Sequence, residues 1–195
     1  MRFKRLVLKH KLVGALAALS LSALVAVAGV VPAMASTGTV AVTGGTLAFV
    51  STPGNPSLTA ITLNGTNQNS VGTLPMDVGD NTGSGAGWNI TMTSTTFAQT
   101  TPAESLATTA TTAIATPTDA CDASVTCTLA TNAITYPYAL PAAGTAPTAT
   151  KMYNAAALTG LANQTVTPTF HVAIPANTIA ATYVSTWTIS LVSAP

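Results

Sequence analysis

The chain of 195 residues has only 6 % charged side chains and a formal net charge of +1, whereas an ordinary soluble domain has about 25 % charged residues. The charges are also divided along the chain. All but one of the Lys and Arg residues lie before residue 12, and residues 36–195 hold Lys151 against five acidic residues, a net charge of −4. This distribution excludes a basic nucleic-acid-binding face and leaves few side chains for acid–base or metal chemistry.

Residues 1–35 have the pattern of a secretory signal peptide. A basic segment ends at Lys11, an apolar run extends from Leu12 to Val31, and a proline then leads into the small-residue site Ala33-Met34-Ala35. We therefore predict a helical signal peptide, cleaved before Ser36. Because the apolar run has about the 20 residues that span a bilayer, a retained membrane anchor is the alternative interpretation.

Residues 36–195 have the size of one domain and are rich in Thr, Ala, Val, Gly and Pro. Thr and Val are β-branched and favour strands, while Gly and Pro favour turns. No amphipathic helical pattern occurs in this part of the sequence. We predict a single all-β domain, an Ig-like or Greek-key type of β-sandwich with about eight to ten short strands.

Alternating apolar residues predict the first strands. Residues 39–43 and 46–50 flank Gly44-Gly45 and are expected to form a hairpin. Further strands are predicted over 58–63 and over 71–78.

A Gly-rich loop over 79–87 then leads into residues 88–93, which alternate clearly. This alternation places Trp88, Ile90 and Met92 on one face of a strand.

Residues 98–150 are less regular and are predicted to be a Thr/Ala/Pro-rich insertion. Irregular short strands are expected there rather than disorder, because long structureless loops are uncommon inside compact domains. The insertion contains Cys121 and Cys127, the only cysteines of the chain. An even number of cysteines in an exported protein favours a disulfide, and their spacing is not that of a CxxC redox pair.

Two clear strands are predicted near the C-terminus. Residues 164–175 alternate, with Phe170 and Val172 on one face, and residues 183–191 place Trp187 on an apolar face. The short connection between these strands predicts that they form a hairpin.

Few residues are candidates for catalysis or for metal binding. His171 is the only histidine after residue 35, lies mid-strand and lacks a nucleophile motif. Asp77 and Asp80 border the Gly-rich loop, where a calcium site is an alternative to simple turn formation. That loop has no following lysine and is not a phosphate-binding loop. We predict no enzymatic activity, no metal and no cofactor.

The two tryptophans allow two interpretations. Trp88 and Trp187 are either large core side chains or exposed platforms on which a sugar ring stacks. Their positions in regular strands are compatible with both roles.

Two tryptophan-containing segments resemble the motifs of the WxL-domain family of surface proteins. The segment from Asp80 to Ile90 resembles the first motif, and Trp187-Thr188-Ile189 near the C-terminal Ala194-Pro195 resembles the second, with Ile in place of Leu in both. The segments 172–178 and 181–183 are similar to the hairpin that the family has between its motifs, and residues 151–156 to the stretch before it.

The resemblance implies a secreted cell-surface protein of Gram-positive type that associates non-covalently with the cell wall through peptidoglycan. The candidate ligand contacts are Trp88 and Trp187, with Asn81 and Asn89 as polar partners. Peptidoglycan or another wall glycan is the expected partner, alongside other surface proteins or further copies of the chain. Nucleic acid is not expected as a partner, nor is a membrane once the signal peptide is cleaved.

A second function class is a structural subunit that assembles into a surface layer or fibre. Low charge, many threonines and exposed strand edges favour association between strands of different copies. A secreted hydrolase is the third and least supported class.

Overall fold

The structure is a computed structural model that describes residues 35–194. The signal peptide predicted for residues 1–35 therefore lies outside the described residues, except for Ala35. The strands are β1 (Leu47–Phe49), β2 (Gln68–Thr73), β3 (Met76–Asp80), β4 (Trp88–Thr95), β5 (Ala98–Thr100), β6 (Ala103–Ser105), β7 (Thr111–Ala113), β8 (Thr118–Cys121), β9 (Tyr138–Ala139), β10 (Ala142–Ala143), β11 (Thr150–Ala155), β12 (Ala162–Thr167), β13 (Thr169–Ile174) and β14 (Trp187–Ser193).

The all-β prediction is confirmed, and the strands form a β-sandwich within one compact unit, Ala41–Pro195. No helix occurs in the described part of the chain, so none there is long and apolar enough to cross a membrane. The predicted insertion over 98–150 contains six short strands, β5 to β10, as expected for an irregular but ordered segment.

One layer consists of two sheets that lie end to end, because β2 continues into β3 and β12 continues into β13. These sheets have the strand orders β1-β3-β12-β8 and β2-β13-β7-β9. The chain passes from β2 to β3 through Leu74-Pro75, and from β12 to β13 through Pro168. A proline has no N–H to donate to a ladder, which explains why both strands break at this level. The N–H of Leu74 donates to the carbonyl of Pro168 and joins the two breaks.

The other layer is built around β4. Strand β14 pairs antiparallel with β4 along one edge, and β11 and the short parallel strand β10 pair along the other. Trp88, Ile90 and Met92 of β4 are fully buried, as their alternation predicts. They pack with Met76 of β3 and Phe170 of β13 in the main hydrophobic core.

A smaller apolar cluster lies beyond this core. It contains Phe97, Leu106, Ala110 and Val172. The ring of Trp187 packs against both clusters and connects them.

Both predicted hairpins are wrong. Residues 39–43 form no strand, and β1 pairs with β3 instead. At the other end of the chain, β13 pairs with β2 and β7, whereas β14 pairs with β4. Alternation identifies the buried face of a strand, but it contains no information on which strand lies alongside.

Three other predicted strands differ from the structure. Residues 58–63 are not a regular strand, although the N–H of Thr59 bonds to the carbonyl of Val71. The predicted strands over 71–78 and 164–175 are each divided by the prolines described above.

Candidate ligand-binding site

Trp88 lies in the core, and its indole has no exposed surface. Its Nε1–H donates a 2.8 Å hydrogen bond to the carbonyl oxygen of Gly160, and its ring packs at 6.0 Å from the ring of Tyr153. A ring enclosed in this way cannot stack on a sugar. Of the two roles considered for Trp88, the structure supports the core role, and the predicted ligand contact at this residue is not available.

The glycines around Trp88 explain the local sequence. Gly87 adopts a left-handed backbone conformation with a φ of +78°, and a Cβ there would collide with the carbonyl oxygen of Ala155. Gly160 has a φ of +69°, and a Cβ would lie 2.6 Å from Nε1 of Trp88. At both positions glycine alone combines the left-handed conformation with the close contact easily. The two glycines therefore allow the indole of Trp88 to lie in the core.

The two predicted asparagine contacts lie in different environments. Asn89 is buried, and its amide Nδ2–H donates to the carbonyl oxygen of Ala194. This bond holds the C-terminal segment against β4. Asn81 is exposed, and its amide donates to Oδ1 of Asn163 at 3.3 Å.

Trp187 lies at the beginning of β14 and is only partly buried. Its ring meets the rings of Phe170 and Phe97 edge-on, at centroid distances of 4.8 and 6.5 Å. Such edge-to-face contacts fix the plane of an aromatic ring. The indole is therefore held firmly where it borders a surface groove.

This groove, which we call the Trp187 groove, has a volume of about 360 Å³. Its walls are the 52–56 loop and the segment 185–187, and its lining residues are Thr52, Pro53, Gly54, Asn55, Pro56, Leu74, Ser185, Thr186, Trp187 and Ile189. No lining residue is charged. Hydroxyl and amide groups therefore stand beside one aromatic ring, a combination that suits an uncharged, hydroxyl-rich ligand.

The structure does not bring the four predicted contacts together. Trp187 pairs with Ser94 at one end of β4, whereas Asn89 lies five positions away towards the other end. At about 3.4 Å per residue, this separation is roughly 17 Å. Asn81 precedes β4 through the Gly-rich loop and does not line the Trp187 groove.

The groove residues on the 52–56 loop were missed by the sequence analysis. Pro53-Gly54-Asn55-Pro56 reads only as a loop, and no local pattern places it beside a strand that lies far along the chain.

The acidic residues next to the Gly-rich loop do not form a joint site. Asp77 and Asp80 are three positions apart in β3 and therefore point to opposite faces. Oδ1 of Asp80 accepts bonds from the backbone N–H and the hydroxyl of Thr82, which stabilises the turn. Burial and, second, the negative charge of Asp122 raise the pKa of Asp77 above its usual value. These two residues cannot bind one cation together, so the calcium interpretation fails.

The other titratable groups of the core serve packing and hydrogen bonding. The carboxylate of Asp119 accepts from the N–H of Ala130 at 2.9 Å and from the Tyr153 hydroxyl at 3.3 Å, and burial raises its pKa. Burial also raises the pKa of Tyr136 to about 12, and its hydroxyl donates to the carbonyl of Met152. Across residues 35–194, no group of three His, Cys, Asp or Glu side chains is placed to hold a metal ion.

Cys121 and Cys127 form the predicted disulfide. It closes a short loop at the end of β8, and within this loop Oδ1 of Asp122 accepts a bond from the hydroxyl of Thr165 in β12. The Asp122–Thr165 bond holds this loop beside the sheet, and neither cysteine lines the Trp187 groove.

The comparisons with known proteins add no further assignment. No protein-family model, no curated protein and no solved structure matches this chain.

Proposed function

We propose that this chain is an exported cell-surface protein that associates non-covalently with the cell wall by binding a wall glycan, peptidoglycan above all, in the Trp187 groove. The observation that carries the proposal is the firmly held indole of Trp187 beside an uncharged rim of hydroxyl and amide groups. A sugar presents an apolar face to an aromatic ring and hydroxyls to such a rim.

The size of the groove supports a short stretch of glycan as the ligand. Its volume of about 360 Å³ lies at the small end of the range for clefts that bind small molecules. Asn55 offers an amide, and Thr52 and Ser185 offer hydroxyls, each of which can donate to and accept from a sugar hydroxyl.

Export to the cell surface is proposed from the sequence. The basic segment, the apolar run and the Ala33-Met34-Ala35 site together have the order of a signal peptide. The resemblance of the segments around Trp88 and Trp187 to WxL-domain motifs supports the wall as the location. The placement of the two tryptophans refines this proposal, because Trp187 alone borders a surface to which a ligand has access.

We propose a binding role rather than a catalytic one. The Trp187 groove is lined by no residue that titrates near neutral pH. His171 lies in β13 between Val71 of β2 and Thr112 of β7, so its strand neighbours offer no carboxylate to orient the imidazole.

The test is co-sedimentation of the exported protein with purified peptidoglycan. The double variant Thr52→Ala with Asn55→Ala removes two polar groups from the rim without touching the core. We therefore expect its affinity for peptidoglycan to be at least tenfold weaker and its Tm to be unchanged. Thr188→Ala is the matched control, because Thr188 follows Trp187 in β14 but is exposed and does not line the groove. Equal binding by the wild type, the double variant and the control would contradict the proposal.

Tryptophan fluorescence provides a second readout at the groove itself. Trp88 is buried and Trp187 borders the groove, so soluble peptidoglycan fragments should change the emission of Trp187 only. The Trp187→Phe variant retains a ring in the core and should lose the change, whereas Trp88→Phe should keep it. A ligand-induced change that persists in Trp187→Phe would rule out this groove.

A further inference from the structure

An apolar segment rich in β-branched residues precedes β1 and has no strand partner among the described residues. Residues 39–43 read Thr-Val-Ala-Val-Thr, and the side chains of Val40 and Val42 are 87 % and 90 % exposed. Val40 and Val42 lie two positions apart, so an extended chain presents both on the same face. The segment carries no charge and no proline, the features with which proteins commonly prevent strand pairing.

A large apolar groove lies elsewhere on the surface, and we call it the 58–63 groove. Its volume is about 640 Å³, and no charged residue lines it. One wall is the extended segment 58–63, the other is the segment 178–183, and Phe97, Leu106 and Val172 of the smaller apolar cluster lie between them. Leu63 and Ile179, one on each wall, are 36 % and 46 % exposed.

The walls of this groove have few backbone hydrogen bonds of their own. Within the described part of the chain, residues 60–63 and 180–182 make no backbone–backbone hydrogen bonds, and the carbonyl oxygen of Thr62 accepts one side-chain bond, from Nε2 of Gln68. An extended peptide lying between two such walls can bond to them through its main chain while its side chains enter the apolar floor. This is the general mode of recognition by strand addition.

The residues just before β1 and the groove lie at opposite ends of the sandwich. The N–H of Gly45 donates to the carbonyl of Asn81, which places the residues just before β1 beside the end of β3. The groove is lined by Ser70 of β2 and Ile174 of β13, at the far end of the same strand pair. From Ser70 to Asn81 the strands cover eleven positions, roughly 36 Å at 3.3 Å per residue.

The segment therefore does not reach the groove of its own chain. Val40 lies five positions before Gly45, and at no more than about 3.6 Å per residue a fully extended chain reaches roughly 18 Å from there. That reach is well short of the roughly 36 Å that the strands cover. Only another molecule can bring its segment to this groove.

We propose that residues 39–43 of one copy insert as a strand into the 58–63 groove of a second copy, with Val40 and Val42 packed on Phe97, Leu106 and Val172. Because the donating and accepting surfaces lie at opposite ends of each molecule, the contact is head-to-tail. A head-to-tail contact that does not close on itself produces an open chain of subunits. The protein thereby forms linear assemblies on the surface to which it is exported.

The test uses two variants with complementary defects, each studied as the exported protein by sedimentation velocity and electron microscopy. Val40→Asp with Val42→Asp disables the inserting segment, and Leu63→Asp with Ile179→Asp disables the groove. All four side chains are exposed, so the fold is expected to persist, which circular dichroism and Tm would verify. The wild-type protein should form linear assemblies, and each variant alone should be monomeric.

Mixing the two variants is the decisive experiment. The groove variant retains an intact segment and the segment variant retains an intact groove, so the mixture should form a dimer of one copy of each and grow no further. Val192→Asp is the control, because Val192 is an exposed apolar residue on the free edge strand β14 and lines neither groove. This variant should assemble like the wild type.

The proposal would be overturned by a wild-type protein that is monomeric at its highest soluble concentration, by assembly that persists in both complementary variants, or by a mixture that stays monomeric. Assembly abolished by Val192→Asp alone would assign the contact to the edge of β14 instead and would also overturn it. The 58–63 groove shares no lining residue with the Trp187 groove. Failure of this proposal therefore leaves the peptidoglycan test unaffected, and the reverse also holds.

Discussion

Strands β4 and β14 carry the same short pattern, Trp-x-Ile, and lie side by side in the same sheet. In β4, which pairs with β10, β11 and β14, the tryptophan is fully buried. In β14, which pairs with β4 alone, the tryptophan is partly exposed and lines a groove. The same residues therefore have different roles because one strand is central and the other is an edge.

The hydrogen bonds of the two tryptophans differ in the same way. Nε1 of Trp88 has a buried acceptor, the carbonyl of Gly160, as a fully enclosed indole requires. Trp187 is held by the rings of Phe170 and Phe97 instead, and it lines the groove. Mutations at matched positions of β4 and β14 test this distinction directly.

The largest effect is expected for Trp88→Ala. Truncation of a fully buried tryptophan leaves a cavity and costs about 3–5 kcal/mol of unfolding free energy, and it also leaves the carbonyl of Gly160 without its donor. Urea denaturation measures the change. Trp88→Phe is the control that keeps most of the packing and loses the hydrogen bond, so it should be destabilised less than Trp88→Ala. Equal stability of Trp88→Ala and the wild type would contradict the core placement.

Gly87→Ala tests why a glycine precedes Trp88. The left-handed conformation costs a non-glycine residue about 1–2 kcal/mol, and the collision with the Ala155 carbonyl adds to that cost. Gly144→Ala is the matched control, because Gly144 does not have a positive φ and a Cβ there would meet nothing within 4 Å. Thermal unfolding should show a lower Tm for the first variant only.

The faces of the strands were predictable from the sequence. Trp88, Ile90 and Met92 are all fully buried, and Phe170 and Val172 are buried along β13, as their alternation predicts. Burial of every second residue is a local property, since successive side chains of a strand point to opposite faces. The disulfide was predictable as well, because only two cysteines are present.

Strand partners and the groove were not predictable in this way. The pairing of Trp187 with Ser94 joins residues far apart in the chain, and no local pattern indicates it. The Trp187 groove depends on the same long-range pairing, because it forms only where the 52–56 loop lies beside the start of β14. The sequence names both tryptophans as candidate ligand contacts and leaves the core role open for each, because a short pattern does not tell a central strand from an edge strand.

Trp187→Ala should have an intermediate effect on stability. The variant loses two edge-to-face contacts, each worth about 0.5–1.5 kcal/mol, but the ring it removes is already partly exposed. We expect a loss of about 2 kcal/mol in urea denaturation, clearly below the loss for Trp88→Ala. A loss as large as that of Trp88→Ala would show that the two rings are equally buried in solution and would contradict the distinction between β4 and β14.

The smallest expected difference comes from two threonines that face each other in the register of the two strands. Thr93 of β4 is buried, and its hydroxyl donates to the carbonyl of Pro147 at 2.8 Å, whereas Thr188 of β14 is exposed. Thr93→Val keeps the shape and removes the donor, so it should cost about 1 kcal/mol. Thr188→Val should change the unfolding free energy by less than about 0.5 kcal/mol. Because both substitutions introduce the same β-branched residue at neighbouring positions, strand propensity cancels and the difference in urea midpoint measures the hydrogen bond and burial of the central strand. Equal midpoints for the two variants would show that Thr93 is no more constrained than Thr188.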